Sequence, residues 1–209
     1  MKLTSIEQVQ KIVGKLPAPR DLKVIDYIDE HARRWLSYTC FGFMGFGKDG
    51  QVHLSAASGQ ESFVSALDSK HLIVPLTSLD TTRMVDAGLS FGALFIVSGM
   101  DETLRVNGKV SDVSDELLTL NVEECYLHCA KAFRRSNFWT PQSLEQSDGD
   151  MPTFIDQATF LAVASINSSG QVDVSPKGDP EKSLIQEEEN FIFLADRPGN
   201  RRVDSFRNI

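Results

Sequence analysis

The chain has 209 residues, 41% hydrophobic and 24% charged, which suits one large domain, or a small domain plus part of another, around a real core. A formal net charge of -8 repels phosphate backbones and argues against a general nucleic-acid role. No apolar run reaches the length of a membrane span, the first residues lack a signal-peptide core, and the odd count of three cysteines fits a reduced interior, so a cytoplasmic location off the membrane is expected.

Ser5 reads as a helix cap, Gln8 three residues on completes a capping-box pattern, and Gly14 is a stop. Pro17 and Pro19 break the chain. A second helix is predicted from about Asp21 to Tyr38, because Leu22, Ile25, Ile28, Ala32 and Leu36 recur at spacings of three and four. Strand patterns follow. Phe41 to Phe46 and Gln51 to Leu54 flank the turn signal Lys48-Asp49-Gly50, and His71 to Val74 is a short apolar run. Phe91 to Val97 reads as a strand buried on both faces. From Thr103 to Val110 the pattern alternates, with Leu104, Val106 and Val110 on one side and Arg105, Asn107 and Lys109 on the other. Several short strands with few long helices predict a mainly β protein built as a small barrel with flanking helices.

Residues 141–152 are polar and carry little to bury, as a linker does. Strands then resume at Phe160 to Ile166, Gln171 to Val174 and Phe191 to Leu194, with a turn at Ser168-Ser169-Gly170. Glu187-Glu188-Glu189 reads as a solvated turn. The order echoes the first part: Gly50-Gln51-Val52 recurs as Gly170-Gln171-Val172, and Ser55 as Ser175. An internal duplication is expected, with a first copy in 1–140 and the start of a second in 153–209.

Chemistry concentrates in two turns of the second copy. Ser175-Pro176-Lys177-Gly178-Asp179-Pro180 follows a strand. Gly178 lets the backbone approach a ligand closely, Lys177 supplies a cation and Ser175 a hydroxyl. Asp196-Arg197-Pro198-Gly199-Asn200-Arg201-Arg202 also follows a strand, and its guanidinium groups suit a phosphate. The residues alone leave two readings open: a phosphate site, or two polar turns whose arginines pair with Asp179, Asp196 and Asp204. Cys125, His128 and Cys129 lack a fourth ligand, so no metal site is expected. Phe138 and Trp139 read as core, and His31, His53 and His71 as polar surface groups. No glycine fingerprint of a dinucleotide fold and no Ser-His-Asp order is present, and no catalytic residue can be named.

These motifs carry a family resemblance. The segments Gly170 to Pro180 and Asp196 to Ile209 closely resemble a probable FMN-dependent subgroup of the pyridoxamine 5'-phosphate oxidase-like split-barrel proteins. Glu102 to Gly108 resembles a later barrel strand of that subgroup, and His128 to Trp139 its C-terminal signature. The resemblance implies an FMN-binding split β-barrel, Greek-key-like, with a degenerate first copy and a partial second copy. It implies FMN as cofactor, gripped by Ser175, Lys177, Gly178, Arg197, Asn200 and Arg201 at the meeting of two barrel units. The matching places in the first copy hold Ser55-Ala56-Ala57-Ser58-Gly59 and Leu76-Thr77-Ser78-Leu79-Asp80, without cations, so that copy is expected to lack the grip. Family members continue where this chain reaches Ile209. Three explanations stay open: a fragment of a tandem protein, a barrel completed by another chain, or a shortened copy that works as it stands. The implied function is an FMN-dependent oxidoreductase acting on an unidentified small molecule, alone or as a homodimer or pseudo-dimer of barrels. The alternative is a non-catalytic flavin-binding or flavin-carrying protein, and a third reading is an apo barrel pair used for assembly.

Overall fold

The computed structural model describes residues 3–16, 23–60, 62–83, 85–141, 155–180, 184–195, 197 and 203–208. The protein is mainly β with short flanking helices. Helix α1 (Ile6–Val13) starts at Ser5, whose hydroxyl accepts the Gln8 N–H, and ends at Gly14, where φ is 84°. Gln8 reaches back as a capping box requires, but its Oε1 accepts from the Thr4 N–H at 2.8 Å rather than from the cap itself.

The second helix is shorter than its apolar stripe predicts. Helix α2 covers Glu30–Ser37; residues 23–29 are not helical, and Asp21 and Leu22 lie outside the described residues. Ile25 instead exchanges both backbone hydrogen bonds with Cys125. Asp29 then caps the helix, its Oδ1 accepting the Ala32 N–H at 2.7 Å. The stripe is shared between two conformations: Ala32 and Leu36 reach the core from the helix, and Ile28 from the extended approach. A spacing of three or four cannot tell these apart when both segments cover the same core.

Strands β1 (Thr39–Lys48) and β2 (Gln51–Ser58) form the predicted hairpin. Asp49 and Gly50 have φ of 53° and 78°, the left-handed pair that a two-residue type I′ turn needs. With β3 (Ser65–Ala66), β4 (His71–Pro75), β5 (Ser90–Val97), β6 (Thr103–Val113) and β7 (Leu117–His128) they make one antiparallel sheet in the order β2-β1-β5-β6-β7-β4-β3. The sheet curls back on itself. Leu79, just past β4, bridges to Ala57 of β2, and the Asp80 N–H donates to the Ala56 carbonyl at 3.0 Å. That contact is a single bridge and not a ladder. Met44, Phe46, Phe91, Phe95, Val106 and Leu120 fill one face of the sheet together with Ala32 and Leu36 of α2.

Helix α3 (Lys131–Ser136) follows β7. Nearly all of the predicted linker lies outside the described residues. Beyond it, β8 (Phe160–Ile166) and β9 (Val172–Gly178) form a hairpin laid on the other face of the sheet. The glycines of β1 and β5 make room for it. A Cβ on Gly47 would come within 2.8 Å of Val172, and one on Gly92 within 3.0 Å of the Val172 carbonyl oxygen. This layer explains why β5 is buried on both faces, as its unbroken apolar run predicts.

A further hairpin joins β10 (Ile185–Glu188) to β11 (Phe191–Leu194), and helix α4 (Asp204–Asn208) follows. Glu187 and Glu188 therefore belong to a strand, and the turn is confined to Glu189 and Asn190, with Glu189 at φ 51°. Strands β8 to β11 repeat the two-hairpin succession of β1 to β4. Gly50 and Gly170 occupy the same left-handed conformation, φ 78° in each. The second turn is one residue longer, three residues between Asn167 and Gln171, which shifts the register of β8 by one. No helix among the described residues is long and apolar enough to cross a membrane.

Candidate functional site

The motif Ser175-Pro176-Lys177-Gly178 was expected to follow a strand, but it lies within one. Strand β9 extends to Gly178, paired along β8 so that Ser175 faces Val163 and Gly178 faces Phe160. Pairing with a neighbouring apolar strand holds the motif extended, including Pro176, in a two-stranded hairpin.

Ser175 is buried in a polar cluster that joins the hairpin to the sheet. Arg105 of β6 is fully buried, and its Nη1 lies 2.8 Å from Asp173 Oδ1. The same nitrogen donates to the Tyr126 hydroxyl at 2.8 Å, and Nη2 donates to Ser175 Oγ at 3.1 Å. Ser175 Oγ in turn donates to Asp173 Oδ2 at 2.8 Å. The guanidinium also lies 5.6 Å from the centre of the Tyr126 ring. A charge buried this deeply is tolerated when it is paired and hydrogen-bonded, and each partner here meets that condition. The Ser175 hydroxyl is therefore engaged on both sides.

Gly178 permits a close approach, and the neighbour is the chain itself. A Cβ there would lie 2.0 Å from the carbonyl oxygen of Ala132, so α3 packs directly on the end of β9. Arg197 pairs with Asp179, its Nε donating to Oδ2 at 2.6 Å and its Nη2 contacting the same oxygen. Asp179 is buried, whereas Arg197 is partly exposed. This is one of the pairings that the reading as two polar turns, rather than a phosphate site, named, and it brings the two motifs together although 18 positions separate them. Lys177 sits between these features, half-buried, with no ion pair among the described residues. Asn200 and Arg201 lie outside the described residues.

After β1–β2, the corresponding corner is closed without a cation among the described residues. Ser55 is buried, and its Oγ donates to Asp80 Oδ1 at 2.6 Å, while the Ala56 N–H donates to the same oxygen at 3.1 Å. Asp80, past β4, returns to β2, and Arg197, past β11, returns to Asp179, the residue that follows β9.

The aromatic residues of the 128–139 segment pack against the second hairpin. Phe160 lies 5.2 Å from Phe133 and 4.7 Å from Phe138, and Phe138 lies 4.9 Å from Trp139. Trp139 Nε1 donates to the Met100 carbonyl at 2.9 Å. Burial pushes the Cys125 thiol up to about 12, and Asp29 adds to the shift. Among the described residues no three His, Cys, Asp or Glu side chains are grouped to hold a metal. His53 differs from its expected surface placement: it is half-buried, with Nε2 enclosed.

Sequence reasoning missed Arg105, Tyr126 and Asp173 as a unit. The available signal was Asp173 between Val172 and Val174, a lone carboxylate in an apolar strand. Its partner is 68 positions away, and only the docked hairpin joins them. No protein-family model matches the chain, and no curated protein matches it.

Proposed function

We propose that the chain is an FMN-binding protein of the split-barrel type and an FMN-dependent oxidoreductase of the pyridoxamine 5'-phosphate oxidase-like class. The observation that carries this reading is the Asp179–Arg197 contact. It draws the two cation-bearing motifs into one corner of an acidic protein, beside Lys177, which makes no ion pair among the described residues. The curled antiparallel sheet and the repeated hairpin pairs are consistent with a degenerate first barrel and a partial second one.

The described residues fit a flavin phosphate in part. Lys177 is half-buried with no ion pair among the described residues, and Arg197 shares its charge with Asp179. Ser175 is committed to Arg105 and Asp173, and the open side of Gly178 faces Ala132. In this reading Lys177 and Arg197 form the grip, with Asn200 and Arg201 completing it, and Ser175 and Gly178 shape the strand that presents it. A bound flavin would supply the electron transfer, while the chain binds, orients and shields it.

The grip is tested by the double change Lys177→Ala with Arg197→Ala. Hydrogen bonds to charged groups contribute about 1.5–3 kcal/mol each, so FMN affinity is expected to fall roughly a hundredfold or more. Riboflavin, which lacks the phosphate, is expected to lose little. An equal loss for both ligands in a folded variant removes these residues from the site. Turnover of an acceptor after reduction by a nicotinamide donor separates an oxidoreductase from a flavin carrier.

The same reading includes association of barrel units. In the first unit β4 pairs with β7, and Leu72 and Val74 are fully buried. At the same place in the second unit, β11 pairs with β10, and Phe191, Ile192, Phe193 and Leu194 are 41–67% exposed. A strand edge with this much exposed apolar surface favours a further strand alongside it.

A further inference from the structure

We infer that the cavity between the bulge of β7 and the β8–β9 turn binds a small zwitterion, an α-amino acid with a basic side chain. Two successive residues of a regular strand point to opposite faces. Strand β7 is irregular here: Asn107 pairs with Glu124 and Gly108 with Val122, which leaves Glu123 as the extra residue of a bulge. Glu123 and Glu124 consequently line one cavity, of about 440 Å³. The bulge is fixed by sequence. A Cβ at position 108 would lie 2.0 Å from the Asn121 carbonyl oxygen, so the strands close up only around glycine.

Charge defines the ligand. Asn107 Nδ2 donates to Glu124 at 2.9 Å and orients that carboxylate. Arg207 of α4 lines the same cavity, and no ion pair joins it to either glutamate. Asp173 also borders the space, but its charge is matched by Arg105. Among the described residues, and apart from Asp173, the site thus holds two carboxylates and one guanidinium that form no ion pair with one another. A guanidinium receives a carboxylate bidentately, and the two glutamates receive two ammonium groups. Val24 and Tyr126 also line the cavity, beside the aliphatic stem that would run between the charged ends. The volume falls within the roughly 300–1,000 Å³ usual for small-molecule sites, and the position between two packed units is a common one for them.

This site is separate from Lys177 and Arg197, and its test needs no flavin. Calorimetric titration of the full chain compares L-lysine, L-norleucine, which lacks the second ammonium, and cadaverine, which lacks the carboxylate. L-lysine is expected to bind tightest. Arg207→Gln is expected to remove its advantage over cadaverine, and Glu123→Gln to weaken lysine by about tenfold. Both side chains are solvent-exposed, so neither change threatens folding, and unchanged thermal melts verify this. No lysine binding at millimolar concentration, equal binding of lysine and cadaverine to the unaltered chain, or a lysine preference that survives Arg207→Gln overturns the inference.

Discussion

Replacing Asp173 by asparagine tests whether the buried ion pair holds the second hairpin on the sheet. Arg105 is fully buried, and the Asp173 side chain is 9% exposed, so bulk water cannot take over the lost interaction. Breaking one side of such a pair costs about 3–5 kcal/mol, because the remaining charge stays buried without its partner. Asparagine keeps the shape, and the Tyr126 and Ser175 contacts to Arg105 persist, so the lower end, about 3 kcal/mol, is expected. Arg105→Met is expected to cost a similar amount, since it strands the Asp173 carboxylate. The double variant Arg105→Met with Asp173→Leu removes both charges and is expected to cost well under the sum, with a coupling of about 2 kcal/mol or more. Urea unfolding provides the assay, followed by circular dichroism and by the fluorescence of Trp35 and Trp139. Trp35 Nε1 donates to the Phe95 carbonyl and reports the sheet, whereas Trp139 reports the segment packed on the second hairpin. With a urea slope of about 2–3 kcal/mol per molar, the Asp173→Asn midpoint falls by roughly 1–1.5 M. A loss below about 1 kcal/mol, or additive single and double variants, refutes the reasoning.

Gly178→Ala is expected to lower the melting temperature sharply, because its Cβ collides with Ala132 backbone; a melt within a degree or two of the unaltered chain would contradict that packing. Iodoacetamide at pH 8 is expected to label the partly exposed Cys40 and Cys129 and to spare Cys125, with mass spectrometry of digested protein as the readout. The raised Cys125 value has a consequence of definite sign: its contribution to stability is present below pH 9 and is lost as pH rises towards about 12, an alkaline loss that Cys125→Ala should remove. Ile192→Lys combined with Phe193→Glu is expected to reduce self-association in sedimentation, and an unchanged mass for both proteins would exclude the β11 edge as the contact.

Local pattern determined much of the fold. Ser5, Gln8 and Gly14 mark α1, and Asp49-Gly50 specifies the first hairpin, because caps and tight turns depend on neighbouring dihedrals and short side chains. The apolar run from Phe91 to Val97 announced a strand buried on both faces. The same information failed where a distant partner decided the conformation. Ile25 leaves the helical stripe because Cys125 offers a strand partner, and the Ser-Pro-Lys-Gly motif is a strand because β8 pairs along it. At the candidate site, the sequence located the two cation-bearing motifs and left their contact open. Whether Arg197 meets Asp179 depends on how the hairpins fold back. Arg105 reads as a polar residue on an alternating strand. Only the docking of β9 over Gly92 and Gly47 makes it a buried charge, since burial belongs to the packed layers and not to the strand that carries the residue.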